Sequence, residues 1–151
     1  MEDQLVTLEV AKLAKEKGFN ISLYDFWYQD KISGKPYITQ GTEYDSERYC
    51  KWDWNLNGGE SGNLLKVIPY PNNPDGIYYS APTQSLLQKW LREIHNIDIF
   101  CDCIGNKLYY SVIYNNNEKQ NDKVFEQENP SSYEDALKIG LIGALKLIKS
   151  C

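Results

Sequence analysis

The stretch from Ser80 to Ile99 constrains this chain more than any other, because a helix start, a helix, a stop and a strand follow one another within it. Proline fixes φ near the helical value and pushes the residue before it into an extended conformation, which gives Ala81 an N-cap backbone and places Pro82 in the first turn. Leu86, Leu87, Trp90, Leu91 and Ile94 recur at the helical period and share one face, while Gln84, Ser85, Gln88, Lys89, Arg92 and Glu93 fall mainly on the other. His95 suits a helix C-terminus, and Asn96 suits the left-handed conformation that commonly ends helices. The spacing predicts a helix near 82–95 with a buried stripe that includes Trp90.

A hairpin is expected next, with strands at 97–104 and 107–114 flanking Gly105-Asn106, a pair suited to a two-residue primed turn. With Ile104 opposite Lys107, Cys103 pairs with Leu108, Cys101 with Tyr110, Ile99 with Val112 and Ile97 with Tyr114, an apolar and aromatic face. The other face carries Asp98, Phe100, Asp102, Lys107, Tyr109, Ser111 and Ile113, a mixed set that suits exposure to water or to a partner. Asn115 to Asn129 reads as a polar loop in which Lys123-Val124-Phe125 suits a short edge strand.

A second helix is predicted near 132–149, opened by the capping box Ser131-Ser132-Tyr133-Glu134. Its apolar stripe runs through Tyr133, Ala136, Leu137, Gly140, Leu141, Ala144, Leu145 and Ile148. Ile139, Ile142 and Leu147 widen it, which suits deep burial or a homo-oligomer contact, and Gly140 and Gly143 permit close approach of another element. A third helix, near 5–17, places Val6, Val10, Leu13 and Ala14 on one face, with Asp3 and Thr7 both open as N-cap, Gly18 as left-handed stop and Phe19 folding back. Between these helices, residues 20–79 hold most of the aromatic side chains. Strands are expected at 21–28 and 48–56, with a short one at 64–70, and turns at Ser33-Gly34-Lys35-Pro36, Asn57-Gly58-Gly59 and the Pro71–Gly76 loop that leads into the central helix.

The whole is expected to be α+β, one globular domain over 1–151, with an antiparallel sheet that joins the aromatic strands to the 97–114 hairpin under the helices near 82–95 and 132–149. At 151 residues and 42% hydrophobic content the chain suffices for one such domain. Its net charge of −5 argues against phosphate backbones and anionic membranes as partners. The apolar run Ile139 to Ile148 is too short to span a bilayer and contains Lys146, and the acidic start lacks a secretory pattern, so a cytoplasmic protein with reduced cysteines is expected.

Ala81-Pro82-Thr83-Gln84-Ser85-Leu86-Leu87-Gln88-Lys89-Trp90-Leu91-Arg92-Glu93, with Tyr133-Glu134-Asp135-Ala136-Leu137, Ala144-Leu145-Lys146-Leu147-Ile148 and Ala14-Lys15-Glu16-Lys17-Gly18-Phe19, resembles small proteins of bacteriophage and prophage genomes, notably those of gut Bacteroidales. The resemblance covers the three helices and implies a phage or mobile-element origin and a host-cell cytoplasmic setting. It carries no activity, cofactor or site residue.

Candidate chemistry is sparse. The lone histidine, His95, sits where a structural residue belongs, and Cys101 and Cys103, two apart on a strand, supply too few ligands for zinc and read as small apolar side chains. Asp98 and Asp102 share a strand face, as solvated carboxylates commonly do. Gly58-Gly59-Glu60-Ser61-Gly62-Asn63 lacks the G-K-[ST] ending of a phosphate loop. No catalytic residue, metal site or cofactor is assigned. The expectation is a non-enzymatic accessory protein that binds a protein partner or itself, for instance as a homodimer. The alternative is a small-molecule or nucleotide-sequestering protein that uses the aromatic segment 24–79, with Tyr49, Trp52, Trp54, Gly58 and Gly59 as ligand-binding residues.

Overall fold

In a computed structural model of the chain the described residues are 3–30, 33–39, 55, 76–105, 108–117, 122–125 and 130–149. In chain order they form α1 (Leu8–Glu16), β1 (Phe26–Asp30), β2 (Pro36–Thr39), β3 (Gly76–Ser80), α2 (Gln84–His95), β4 (Ile97–Ile104), β5 (Leu108–Asn115), β6 (Asp122–Phe125) and α3 (Tyr133–Leu147). The architecture is α+β, with the antiparallel sheets β2-β1-β3 and β4-β5-β6. The aromatic strands thus build a sheet of their own and do not extend that of the hairpin. The chain divides into two units, Thr7–Pro82 and Met1–Val6 with Thr83–Cys151.

In the first unit β1 is the central strand, and side chains alternate across it so that Phe26 and Tyr28 face inward with Tyr78 of β3. All three are buried, and the Tyr28 ring lies 5.1 Å from Tyr78 and 6.4 Å from the half-buried Tyr37. The strand expected at 21–28 therefore starts later, and Pro36 opens β2 instead of sitting in the turn. As the first residue of an edge strand it has no ladder donor to lose. The turn is made by Gly34, at φ +70°, whose N–H donates to the Asp30 carbonyl at 2.9 Å. Neither β2 nor β3 was expected; the latter lies in the exit of what read as a proline-rich loop. Asn55 ties the unit together, donating through Nδ2 to the Phe19 carbonyl at 2.7 Å and accepting from the Ser80 N–H at 2.9 Å. The strands expected at 48–56 and 64–70 otherwise lie outside the described residues.

Thr7 is the N-cap of α1, its hydroxyl accepting from the Val10 N–H at 3.5 Å. Gly18 is left-handed, at φ +87°, and Phe19 folds back to donate to the Ala14 carbonyl. The buried Val10, Ala11 and Ala14 carry the apolar face, while Leu13 is only half-buried. Lys15 reaches from this helix to the Tyr78 carbonyl at 3.1 Å and lies 5.0 Å from the centre of the Tyr79 ring.

In the second unit α2 begins at Gln84 and not at Pro82. The N-cap is Thr83, because its hydroxyl accepts from the Leu86 N–H at 3.2 Å, a bond that the alanine at 81 has no side chain to make. Leu87, Trp90 and Leu91 are buried, but Ile94, expected with them, is 65% exposed. Asn96 is left-handed as expected, at φ 56° and ψ 39°, and its N–H returns to the Leu91 carbonyl. The next turn is closed by asparagines: the Asn116 N–H donates to the Asn96 carbonyl at 3.0 Å, and Asn117 Nδ2 donates to the His95 carbonyl at 2.6 Å. Residues 115–117, expected in a polar loop, thus brace the helix-to-strand junction, and Asp122–Phe125 forms the edge strand.

The hairpin register differs from the expected one by one residue. Ile104 lies opposite Leu108, Cys103 opposite Tyr109, Cys101 opposite Ser111, Ile99 opposite Ile113 and Ile97 opposite Asn115. Three residues connect the strands, with Gly105 left-handed at φ +62°, and an odd extra residue turns the whole of β5 over. Ile97 and Ile99 keep their inward positions, but Ser111, Ile113 and Asn115 replace Tyr110, Val112 and Tyr114 beside them.

The cause lies in α3, which packs on β4 and β5. A Cβ at Gly140 would stand 2.8 Å from Ile99 Cγ2 and 3.1 Å from the Ser111 side chain. Such an approach needs a small residue on the strand, and Ser111 is small where Tyr110 or Val112 is not. The cap of α3 is also shifted by one: Ser132, not Ser131, accepts from the Asp135 N–H at 3.1 Å, and Ser131 donates to the Asp135 carboxylate at 2.7 Å.

Among the described residues β4 is an edge strand, and its outer edge is guarded. Gln88 Nε2 donates to the Ile99 carbonyl at 2.6 Å, and Asp102 Oδ1 accepts from the Cys103 N–H at 2.8 Å, so two of the groups that an added strand would use are engaged.

Gly140→Ala is expected to destabilise the protein by about 1–3 kcal/mol, as overpacking against the Ile99 and Ser111 side chains does; a urea melt with an unchanged midpoint would refute the close approach. Trp90→Ala, a large truncation at a 4% exposed position, is expected to cost about 3–5 kcal/mol in the same assay.

Candidate interaction surface

A β-strand sends alternate side chains to opposite faces, so the register that turns Ser111 and Ile113 inward turns Leu108, Tyr110, Val112 and Tyr114 outward. They meet the outward residues of β4 in cross-strand rungs: Ile104 with Leu108, Asp102 with Tyr110, Phe100 with Val112 and Asp98 with Tyr114. Apolar rungs alternate with rungs of one carboxylate and one tyrosine. Phe100, Ile104 and Leu108 are 59%, 63% and 46% exposed, large side chains that folding leaves in water. Phe100 is held edge-on to Tyr114 with ring centres 5.3 Å apart. Clustered exposure of this kind marks interaction surfaces, whereas single exposed hydrophobics do not.

Asp98 and Asp102, read from the sequence as solvated carboxylates, belong to this face. Asp98 Oδ2 accepts from Asn116 Nδ2 at 3.2 Å. The expected mixed face thus holds for β4, but its β5 half is exchanged, because Tyr109, Ser111 and Ile113 turn inward. The outward tyrosines were legible only to a register with a three-residue loop.

The other candidates do not assemble into a reactive centre. His95 packs edge-on against Trp90, 4.5 Å between centres, and its enclosed Nε2 has no hydrogen-bond partner among the described residues. Burial holds its pKa below the ordinary value. Cys101 and Cys103 are free thiols, and burial pushes Cys101 up to about 11, so at neutral pH it is protonated and unreactive. Among the described residues no group of His, Cys, Asp and Glu is placed to hold a metal ion, and no helix is long and apolar enough to cross a membrane. Tyr49, Trp52, Trp54, Gly58 and Gly59 lie outside the described residues, as does the Gly58–Asn63 stretch.

A cleft of about 140 Å³ lies at the first turns of α2 and α3, lined in part by Asp3, Gln84, Ser85 and Glu134. The buried Gln84 donates to the Glu134 carbonyl at 3.3 Å, and Asp3 accepts from the Ser85 N–H at 3.4 Å. Since the first turn of α2 contains no acidic residue, Asp3 supplies the negative charge that a helix N-terminus favours. The cleft falls short of the roughly 300 Å³ at which small-molecule pockets begin, and capping accounts for its polar groups. The outward face of β4 and β5 is the stronger candidate.

No protein-family model, curated protein or solved structure matches the chain.

The enclosure of His95 gives stability a pH dependence. A base whose pKa is lowered by folding binds its proton more weakly in the folded state, so its contribution is complete above the unfolded value near 6.5 and is lost as pH falls below it. Chemical denaturation between pH 7.5 and 5 is expected to show declining stability, with a shallower decline for His95→Gln; equal slopes would refute the assignment.

Proposed function

We propose that the protein acts by binding another protein chain through the outward face of β4 and β5, as a non-enzymatic accessory protein of the phage type that its helices resemble, in the cytoplasm of the host cell. The observation that carries this reading is the exposure of Phe100, Ile104 and Leu108 on one face of a regular hairpin, on two apolar rungs separated by the Asp102–Tyr110 rung. Large apolar side chains presented on regular structure lose little entropy when they are covered, which is what an anchor in an interface needs. A small-molecule ligand in the aromatic segment 24–79 has less behind it, because the buried Phe26, Tyr28 and Tyr78 spend their rings on the core of the first unit.

The triple variant Phe100→Ser, Ile104→Ser, Leu108→Ser separates binding from folding. Its thermal midpoint is expected to stay within a few degrees of the parent, since none of the three is buried. In quantitative capture from producing cells, a protein retained by the parent and lost by the folded triple variant is the expected result. Equal retention by both would sink the assignment of this face.

A further inference from the structure

The face has a chemistry of its own, and it selects among partners. We infer that its occupant is a segment of a different protein that combines apolar side chains with arginine or lysine, and not a second copy of this chain; the inference rests on the reading that this face binds protein. Asp98 and Asp102 point outward from one strand four residues apart, about 13 Å, with Phe100 between them. Each stands across from a tyrosine, Tyr114 or Tyr110. Asp98 accepts a hydrogen bond from an asparagine amide and Asp102 from a backbone N–H, and neither has an ion pair among the described residues. No lysine or arginine occupies an outward position of β4 or β5.

A carboxylate next to a phenol ring suits a guanidinium or ammonium, which pairs with the first and lies against the second. The apolar rungs beside it take the aliphatic side chains of the same segment. Other occupants meet opposition. A second copy laid face to face brings Asp98 and Asp102 against β4 and β5 rungs that carry the same charges and no lysine or arginine, so covering them there leaves carboxylates without a cation out of water. A second copy added at the edge of β4 meets the Gln88 amide on the Ile99 carbonyl, and a pairing centred on Phe100 sets each Asp98 across from an Asp102. Nucleic acid and anionic membranes have the wrong sign.

The test uses the full chain and two fluorescent synthetic peptides of about 18 residues, long enough to fold as amphipathic helices. Both carry a leucine stripe; one has arginine flanking it and the other glutamate. Fluorescence anisotropy is expected to show the arginine peptide binding about tenfold or more tightly than the glutamate peptide, with the margin shrinking as salt rises from about 50 to 500 mM. Phe100→Ser should abolish binding, and the paired change Asp98→Asn, Asp102→Asn should erase most of the margin while both variants keep the parent's melting curve. If both peptides bind alike and Phe100→Ser still removes them, the face binds protein but the cationic partner is wrong. An arginine-peptide affinity untouched by the two Asp→Asn changes also overturns the inference, since it then reflects only the net negative charge. A reversible dimer in sedimentation that Phe100→Ser dissolves overturns the choice of a different protein as partner, and so does a failure of both peptides to bind.

Discussion

The contact between Gly140 and the strand pair beneath it governs the second unit. With no room for a methyl group between Gly140 and the Ile99 side chain, the helix lies close on the sheet, and the strand beside β4 must offer a small side chain there. Ser111 does so, and its inward position sets the orientation of every other β5 residue. Glycine inside a helix is unfavourable by about 1 kcal/mol relative to alanine, a cost accepted here beside the fully buried Leu141, Ala144 and Leu145. The outward display of Leu108, Tyr110, Val112 and Tyr114 is the far side of the same constraint.

Much of the local grammar was legible because it is local. Asn96 and Gly18 adopt left-handed conformations where the hydrophobic periods end, and the inward residues of β4 follow from alternation alone. Three of the misjudged details have a common cause: a neighbour in sequence offered a rival solution that only bonding partners could settle. Ala81-Pro82 competed with Thr83 for the start of α2, Ser131 with Ser132 for that of α3, and a two-residue loop with a three-residue one at Gly105. A hydroxyl that reaches the right N–H decides the first two. The third is decided across space, by a helix that arrives more than two dozen residues later.

Half of the candidate face could be read directly. Phe100, Asp98 and Asp102 were placed outward by the β4 pattern, but their partners across the hairpin were exchanged with the core, because both faces of β5 carry apolar and aromatic residues and either serves as the inner one. Tyrosine was the confounder. In the first unit, too, the aromatic segment read as a possible ligand-binding region holds Tyr28 and Tyr78, which are part of the core itself.

The guarded edge of β4 has a consequence for how such a protein can change over generations. Because Gln88 and Asp102 occupy backbone groups that would otherwise recruit stray strands, the hairpin carries exposed apolar side chains beside an edge with two of its pairing groups already engaged. Because Ile97, Ile99, Ser111 and Ile113 hold the helix layer on the opposite side, the displayed residues carry little of the folding load. Substitution there is decoupled from collapse of the scaffold. Change at the displayed positions is therefore expected to leave the fold standing, so that a surface of this kind is free to vary one residue at a time.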